Sequence, residues 1–549
     1  MFCYDARGNV IQKTQQTTGG TTATGYGYTA ADRLSSVTAP DQTAISYAYD
    51  SDGHVSGVTV TPSGATTAPP TVVSAISYLP LGPISSYTLG NGQTITRTYD
   101  ANYRMTDLTS PALNLHFARD AMGDIVALGN APGANPATET YSYDPLYRLT
   151  GITDSGTALE TYTYNPTGDR LSKTAPGLAT GTYLYTTGTH QLAKIGTATV
   201  TNDANGNSTA DTIGGNSYGF SYNARNRLAA VQLNGPTVAN YSYNALGERI
   251  GKVATYPQAV NELYAYDEAG HLIGEYGTTN RDYVWLGEIP VAVIDNTIIG
   301  SVTTSTINYV TADQLGTPRA VTNSSGAVIW SWAYQGNPWG EQQPASSTGY
   351  VLNLRYPGQY YDAESGTSYN LFRNYNPPLG RFDQSDPTGL NGGISTYAYG
   401  GNDPLDYTDP LGLSSCKDQA IFNEIAKNEA IEPVHPELYL FGVGRLLYAG
   451  AAMAIPGIAT AAADTEIGQA AVAVAGRNSL KTVFRLGLFQ GVRQPTLDTQ
   501  LAKYGGDAAQ VVAAAGRTNA AYNTAAAAAV AGAAAQKVVS ESQQNCGCH

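Results

Sequence analysis

A tyrosine pair, Tyr-x-Tyr followed by Asp or Asn and a short turn, returns along the first half of this 549-residue chain. It stands at Tyr26/Tyr28, Tyr47/Tyr49, Tyr141/Tyr143, Tyr162/Tyr164, Tyr183/Tyr185, Phe220/Tyr222, Tyr241/Tyr243 and Tyr264/Tyr266, with several neighbours 21 residues apart and the last two 23 apart. Side chains alternate along a strand, so both rings of a pair share one face. The Asp or Asn and the glycine three positions on, as in Asn244 and Gly247, suit a type I turn with glycine in the left-handed place behind it. Arg249 and Ile250 then begin a return strand, which makes each unit a β-hairpin. A lone hairpin cannot bury its face, so the units must stack into a continuous sheet. The 60 glycines and 40 tyrosines, against 9 phenylalanines, fit many short strands with one wet face and frequent tight turns.

Two Pro/Gly/Thr-rich breaks, 61–71 and 131–140, read as surface loops, and a degenerate unit is expected around Asn202 to Gly206. All four tryptophans, Trp285, Trp330, Trp332 and Trp339, fall within 55 positions. That clustering indicates a packed closing core, with a sugar-stacking surface as the alternative. The segment from Asp313 through Arg319 and Val321 to Tyr334 looks like one more hairpin with an apolar return strand. The net charge of −14 resides in residues 1–413, because residues 414–549 hold ten Lys/Arg and ten Asp/Glu. An acidic, Tyr-rich body lacks the clustered cations of a nucleic-acid surface. The four cysteines, Cys3, Cys416, Cys546 and Cys548, give no spaced disulfide framework, and Met1 to Asp5 do not begin a signal peptide.

The Tyr-Asp repeats, the Asp-Gln-Leu-Gly-Thr-Pro-Arg segment at 313–319, and the run from Arg355-Tyr-Pro-Gly-Gln-Tyr-Tyr-Asp362 to Asp409-Pro-Leu-Gly-Leu413 resemble the RHS/YD-repeat family. The last portion is similar to its RHS repeat-associated core domain. The resemblance covers roughly residues 1–413 and implies a mainly β fold, in which stacked hairpins wind as a spiralling sheet into a shell. The family's shell encloses a variable C-terminal segment, commonly a toxin, which the core domain cuts from itself. The implied division is 1–282 for the repeat array, 283–413 for the core domain, and 414–549 for a small, mostly α-helical effector-like region. The chain begins inside a repeat, at Tyr4 to Asn9, and holds only about a dozen units, so a truncated product or the C-terminal part of a larger shell is expected.

The densest run of turn motifs, Val351 to Leu413, contains two copies of Asp-Pro-x-Gly-Leu, at 386–390 and 409–413. Taken alone they read as two type I turns. Yet Asp386 and Asp409 are separated by Gly-rich turns and a short Tyr-rich strand, Ser395 to Tyr399, that could bring them together. Two carboxylates in a low-dielectric site cannot both ionise; the charged one can activate a water while the protonated one donates to a scissile carbonyl. The Leu413–Ser414 bond would be held beside them by the chain itself. The resemblance points the same way, implying an intramolecular aspartyl protease that cuts after the final motif with the help of Arg373; a strand-surface or salt-bridge role is the alternative for that arginine. Asp383, Asp403 and Asp406 are nearby spectators.

Beyond Ser414 the chain turns Ala-rich with helical spacing. Leu446 to Ala463 is an uncharged run of 18, expected as a buried helical hairpin, with membrane contact as the alternative. No catalytic frame is legible there, and neither cofactor nor metal is implied. The expected partners are the tail itself as enclosed cargo, a secretion apparatus and a cognate immunity protein, with a secreted or cell-surface location. Rival readings are a non-enzymatic carbohydrate-binding cell-contact protein, whose Asp-Pro motifs are turns only, and a degraded remnant of a longer repeat protein.

Overall fold

The computed structural model describes residues 1–413, apart from 18–19, 66, 81, 176–178 and 300–301, together with the backbone of Cys416–Lys417. Ser414 and the expected helical tail, Leu446 to Ala463 included, lie outside these residues. The packing described below is within one compact unit, which holds Met1 and the described residues from Gln12 onward. Its strands pair antiparallel, each with the next along the chain. One sheet ends at Ala198–Thr199; a second, of 14 strands, runs from Thr201–Asn202 to Ala345–Ser346. Among the described residues the helices are two 3-10 turns, Gly389–Gly392 and Gly400–Asn402, and no helix is long and apolar enough to cross a membrane.

The unit built from Thr237–Tyr243 and Arg249–Ala254 shows why the repeat folds as it does. Tyr241 faces Lys252 and Tyr243 faces Arg249, with a bulge between Ser242 and Tyr243. Asn244 Oδ1 accepts hydrogen bonds from Leu246 N at 2.9 Å and Glu248 N at 3.1 Å, and Gly247 takes φ 87°. The same side-chain cap recurs at Asp144, Asn165 and Asn223. At Tyr147 (φ 61°) and Asn226 (φ 55°) a residue other than glycine holds the left-handed place. The cap there outweighs a backbone penalty of about 1–2 kcal/mol.

The two rings of a pair have different jobs. Tyr162, Tyr183 and Tyr264 are fully buried. Outside the last pair, where Tyr266 is buried too, the second ring stays half-buried and uses its hydroxyl: Tyr164, Tyr185 and Tyr243 donate to the carbonyls of Leu149, Arg170 and Leu228, each 15 residues earlier, at 2.7–2.8 Å. Each bond laces one hairpin to the strand before it and contributes about 1 kcal/mol.

The second sheet runs beside the first. Gln15 Nε2 donates to Tyr264 O at 3.2 Å, Tyr47 OH to Trp285 O at 3.1 Å, and Asn91 Nδ2 to Thr322 Oγ1 at 2.9 Å. These contacts join residues 249, 238 and 231 positions apart, a nearly constant offset, so the array winds back along itself. One apolar core joins Val58, Tyr87 and Ile152 to Val291 and Trp339; another joins Tyr264, Tyr283, Trp330 and Trp332 to Tyr356, Tyr375 and Tyr399. Trp330, Trp332 and Trp339 are therefore core residues with no ring face left for a sugar.

The second core seats a four-stranded sheet of Tyr360–Asp362, Thr367–Asn370, Arg373–Asn376 and Arg381–Phe382. A buried polar network pins it. Arg249 Nη1 meets Asp362 Oδ2 at 2.5 Å, and its guanidinium lies within 5.2 Å of the ring centres of Tyr241, Tyr264, Tyr360 and Tyr369. A weakly hydrated, planar cation suits such a cage. The segment Ser395 to Tyr399, expected as a strand, is instead a turn with one bridge, Ala398 to Arg381. Its rings are drawn into the core: Tyr399 is fully buried, and Tyr397 donates to Gly206 O at 2.7 Å.

Candidate functional site

Arg373 opens the third strand of the small sheet, straight after a tight turn in which Leu371 has φ 49°. Its strand pairs on both sides, which fixes its backbone and aims its side chain at the loop 383–413. The guanidinium is 2% exposed and stacks on the Phe382 ring, 3.6 Å from its centre. Arg373 Nε donates to Gly412 O at 2.6 Å and Nη1 to Thr396 O at 3.0 Å. Nη2 lies 2.9 Å from Asp386 Oδ2 and 2.9 Å from Asp409 Oδ2. Both carboxylates thus meet on one nitrogen. Burial draws the Arg373 guanidinium below its ordinary range, against the opposing pull of Asp409 and Asp386, and it remains charged.

The second motif is clamped in place. Asn370 Nδ2 donates to Asp409 O at 2.8 Å, Phe372 N donates to Leu411 O at 3.1 Å, and Gly358 packs so closely on Pro410 O that an added Cβ would lie 1.8 Å from it. Asp409 Oδ1 accepts from Leu413 N at 2.9 Å, closing a side-chain-capped turn. Downstream, the backbone of Cys416–Lys417 pairs with Tyr407–Thr408, so the chain is held on the far side of Leu413 as well. The first motif is held by Asp386 N donating to Thr396 O at 2.7 Å. Asp386 Oδ1 accepts from Thr388 N at 2.7 Å and Thr388 Oγ1 at 2.5 Å. Asp386, Asp409, Arg373 and Leu413 therefore converge; Ser414 is outside the described residues.

Of the three aspartates read as spectators, Asp383 and Asp406 are held by hydrogen bonds remote from the Arg373 site. Asn376 Nδ2 donates to Asp383 Oδ1 at 3.1 Å, and burial, with the charge of Asp211, pushes the Asp383 carboxyl up to about 8. Burial alone pushes Asp211 up to about 7. The carboxylates of Asp124, Asp403 and Asp406 lie within 4.8 Å of one another, a hard-oxygen group of the kind that takes a cation. Arg119 Nη1 at 2.5 Å and Ile125 N at 2.8 Å already occupy the two oxygens of Asp406. Asp124 and Asp211 lie in repeat strands and turns remote in sequence, so nothing local marked them.

The Teneurin YD-shell family model matches residues 84–404, more than half of the chain, and the RHS Repeat model matches residues 4–44. The chain belongs to this family of YD-shell, RHS-repeat proteins. It is similar to double-stranded DNA deaminase toxin A of Burkholderia cenocepacia, 31% identical over 223 residues, covering 36% of this chain and 15% of that protein. It is similar to toxin protein Tse5 of Pseudomonas aeruginosa, 40% identical over 109 residues, covering 20% of this chain and 8% of that protein. Its fold resembles the Tc holotoxin pore of Photorhabdus luminescens with a TM-score of 0.60 at 20% identity, covering 72% of this chain and 21% of that one. The chain thus spans a small part of the length of these relatives.

Proposed function

We propose that residues 1–413 are a shell portion that carries residues 414–549 as cargo and cuts them free by intramolecular hydrolysis of the Leu413–Ser414 bond. The division is the one expected from sequence: repeats to 282, core domain 283–413, effector-like region beyond. The observation that carries this reading is the convergence of Asp386 and Asp409 on Arg373 Nη2, with Leu413 N bonded to Asp409.

One guanidinium balances one of two buried carboxylates, and a proton on the other leaves the site neutral. In the proposed reaction, Asp409 takes a proton from a water as its oxygen adds to the Leu413 carbonyl carbon. Asp386 supplies the proton that the carbonyl oxygen gains. The tetrahedral adduct then collapses: the C–N bond breaks, the proton on Asp409 passes to the Ser414 nitrogen and one hydroxyl proton of the adduct returns to Asp386, leaving a Leu413 carboxylic acid, which passes its remaining proton to the new amino terminus at Ser414. Because both sides of the bond are tethered, no binding step is needed, and effective molarities of this kind lower barriers by about 7–11 kcal/mol.

Toxins among the relatives support cargo delivery, with export, a secreted or cell-surface location and a cognate immunity protein as its accompaniments. The carbohydrate-binding alternative is the weaker, because Trp330, Trp332 and Trp339 are buried. Intact mass of the purified chain tests the reading, alongside Asp386→Asn and Asp409→Asn. Two fragments meeting at Leu413/Ser414 in wild type, with both variants whole, is the expected result. A folded wild-type chain that stays whole would refute it.

A further inference from the structure

The two Asp-Pro-x-Gly-Leu copies differ at one interior position: Thr388 in the first, Leu411 in the second. Thr388 precedes the 3-10 turn Gly389–Gly392, with φ −83° and ψ −3°. Its Oγ1 lies 2.5 Å from Asp386 Oδ1 and 3.4 Å from Leu413 O. It is the side-chain hydroxyl that touches both the carboxyl group and the carbonyl to be cut. At the other end of the same turn, a Cβ on Gly392 would lie 2.3 Å from Asp386 Oδ2 and 2.7 Å from Leu413 O. Both approaches are far below ordinary contact, so Asp386 Oδ2 and the Leu413 carbonyl can flank this point only because residue 392 has no side chain. Gly392 is not among the glycines with a left-handed φ, so alanine there is refused for space and not for backbone conformation.

We infer that Thr388 is a catalytic residue that relays the Asp386 proton to the Leu413 carbonyl oxygen, and that Gly392 is the positioning residue that admits that carbonyl. This rests on the autoproteolytic reading above. The proton count closes: with a proton on Asp386 Oδ1 the bond that Thr388 Oγ1 donates in the structure turns round, Oδ1 donates to Oγ1, and the hydroxyl passes its own hydrogen to Leu413 O as the water oxygen bonds to the carbonyl carbon. Thr388 then carries the proton it received from Asp386, and its hydroxyl is unchanged. The Oγ1–Oδ1 contact of 2.5 Å is short enough for a proton to pass between the two oxygens, and the 3.4 Å contact to the carbonyl shortens as charge builds on that oxygen. The Thr388 backbone N–H stays on Asp386 Oδ1 at 2.7 Å throughout, which holds the carboxyl's orientation. Leu411 has no hydroxyl, so the second copy cannot do this for Asp409.

The test uses the full chain and follows the appearance of the two fragments by intact mass after synthesis, in wild type, Asp386→Asn, Thr388→Val, Thr388→Ser and Gly392→Ala, with a thermal melt of each. Thr388→Val is expected to slow cleavage about 100-fold or more, the scale of losing one donor to a developing oxyanion. Thr388→Ser is expected to cut close to the wild-type rate, and Gly392→Ala to leave the chain whole with the wild-type melt. Cleavage of Thr388→Val at the wild-type rate overturns the relay, as does a Thr388→Ser variant as slow as Thr388→Val, since then shape and not the hydroxyl matters. Normal cleavage of Gly392→Ala overturns the positioning role. These outcomes leave the proteolytic reading standing while Asp386→Asn remains uncut; a wild-type chain that stays whole removes both.

Discussion

Replacing Arg373 by methionine separates what the guanidinium does for the site from what it does for the fold. The side chain is 2% exposed and serves two carboxylates and two carbonyls, those of Gly412 and Thr396. Without it the ionised member of the Asp386/Asp409 pair is a buried charge with no counter-charge, which costs about 3–5 kcal/mol. Each carbonyl left without a donor adds about 1–3 kcal/mol. The lost stacking on Phe382 is largely replaced by the thioether, so the net effect is on the order of 5 kcal/mol. A domain's whole stability is only about 5–15 kcal/mol, so this is enough to unseat the loop 383–413. Arg373→Met should therefore stay uncleaved and unfold at a lower denaturant concentration. The charge argument makes a sharper statement: adding Asp386→Asn and Asp409→Asn to Arg373→Met removes the abandoned charge whichever carboxyl carries it and should recover most of the electrostatic part. Chemical denaturation followed by fluorescence of the buried Trp332 and Trp339 measures it, with the uncleaved Asp386→Asn/Asp409→Asn chain as reference. Equal stability of Arg373→Met and the triple variant would refute the claim that this arginine is held by the two aspartates.

Other expectations concern the scaffold. Asp383 and Asp211, pushed up to about 8 and about 7, bind protons in the folded state that the unfolded chain releases near pH 4. Their stabilising contribution is thus full below that range and lost as pH rises through about 7 to 8; Asp211→Asn/Asp383→Asn should flatten the decline in melting temperature from about pH 6 to 9. Arg249→Met empties the cage of four tyrosines and leaves Asp362 to Lys252 alone, 3.3 Å away, which should cost about 3 kcal/mol in a denaturant melt, the low end for breaking a buried ion pair. Tyr164→Phe and Tyr243→Phe each delete one hydroxyl bond to an earlier strand, at about 1 kcal/mol, and should add in the double variant because the two share no partner.

The period of the tyrosine pairs, the Asx-capped turns and the hairpin order were legible because each depends on residues a few positions apart. Tyr243, Asn244 and Gly247 act within one hairpin, and the alternation of a strand settles which face both rings share. The degenerate unit at Asn202 to Gly206 was readable for the same reason: Asp203 caps its turn like the others, accepting from Asn207 N at 2.9 Å. The segment Ser395 to Tyr399 was not, since its rings are taken up singly by the core and by Gly206 in place of a strand partner.

Sequence alone determined that the chain is an array of hairpins and marked Asp386, Asp409 and Arg373 as residues to watch. It could not say that two copies of the same five-residue motif differ in use. Gly389 has open space around it and Leu390 is 74% exposed, whereas Gly412 is pressed against Asn370 O and Leu413 is bonded back to Asp409. Local turn preference is the same in both copies. The difference comes from what each packs against, and the strand carrying Arg373 and the glycine at 392 are brought there only by the tertiary fold, through contacts to Gly412 and Leu413, 39 and 21 residues away.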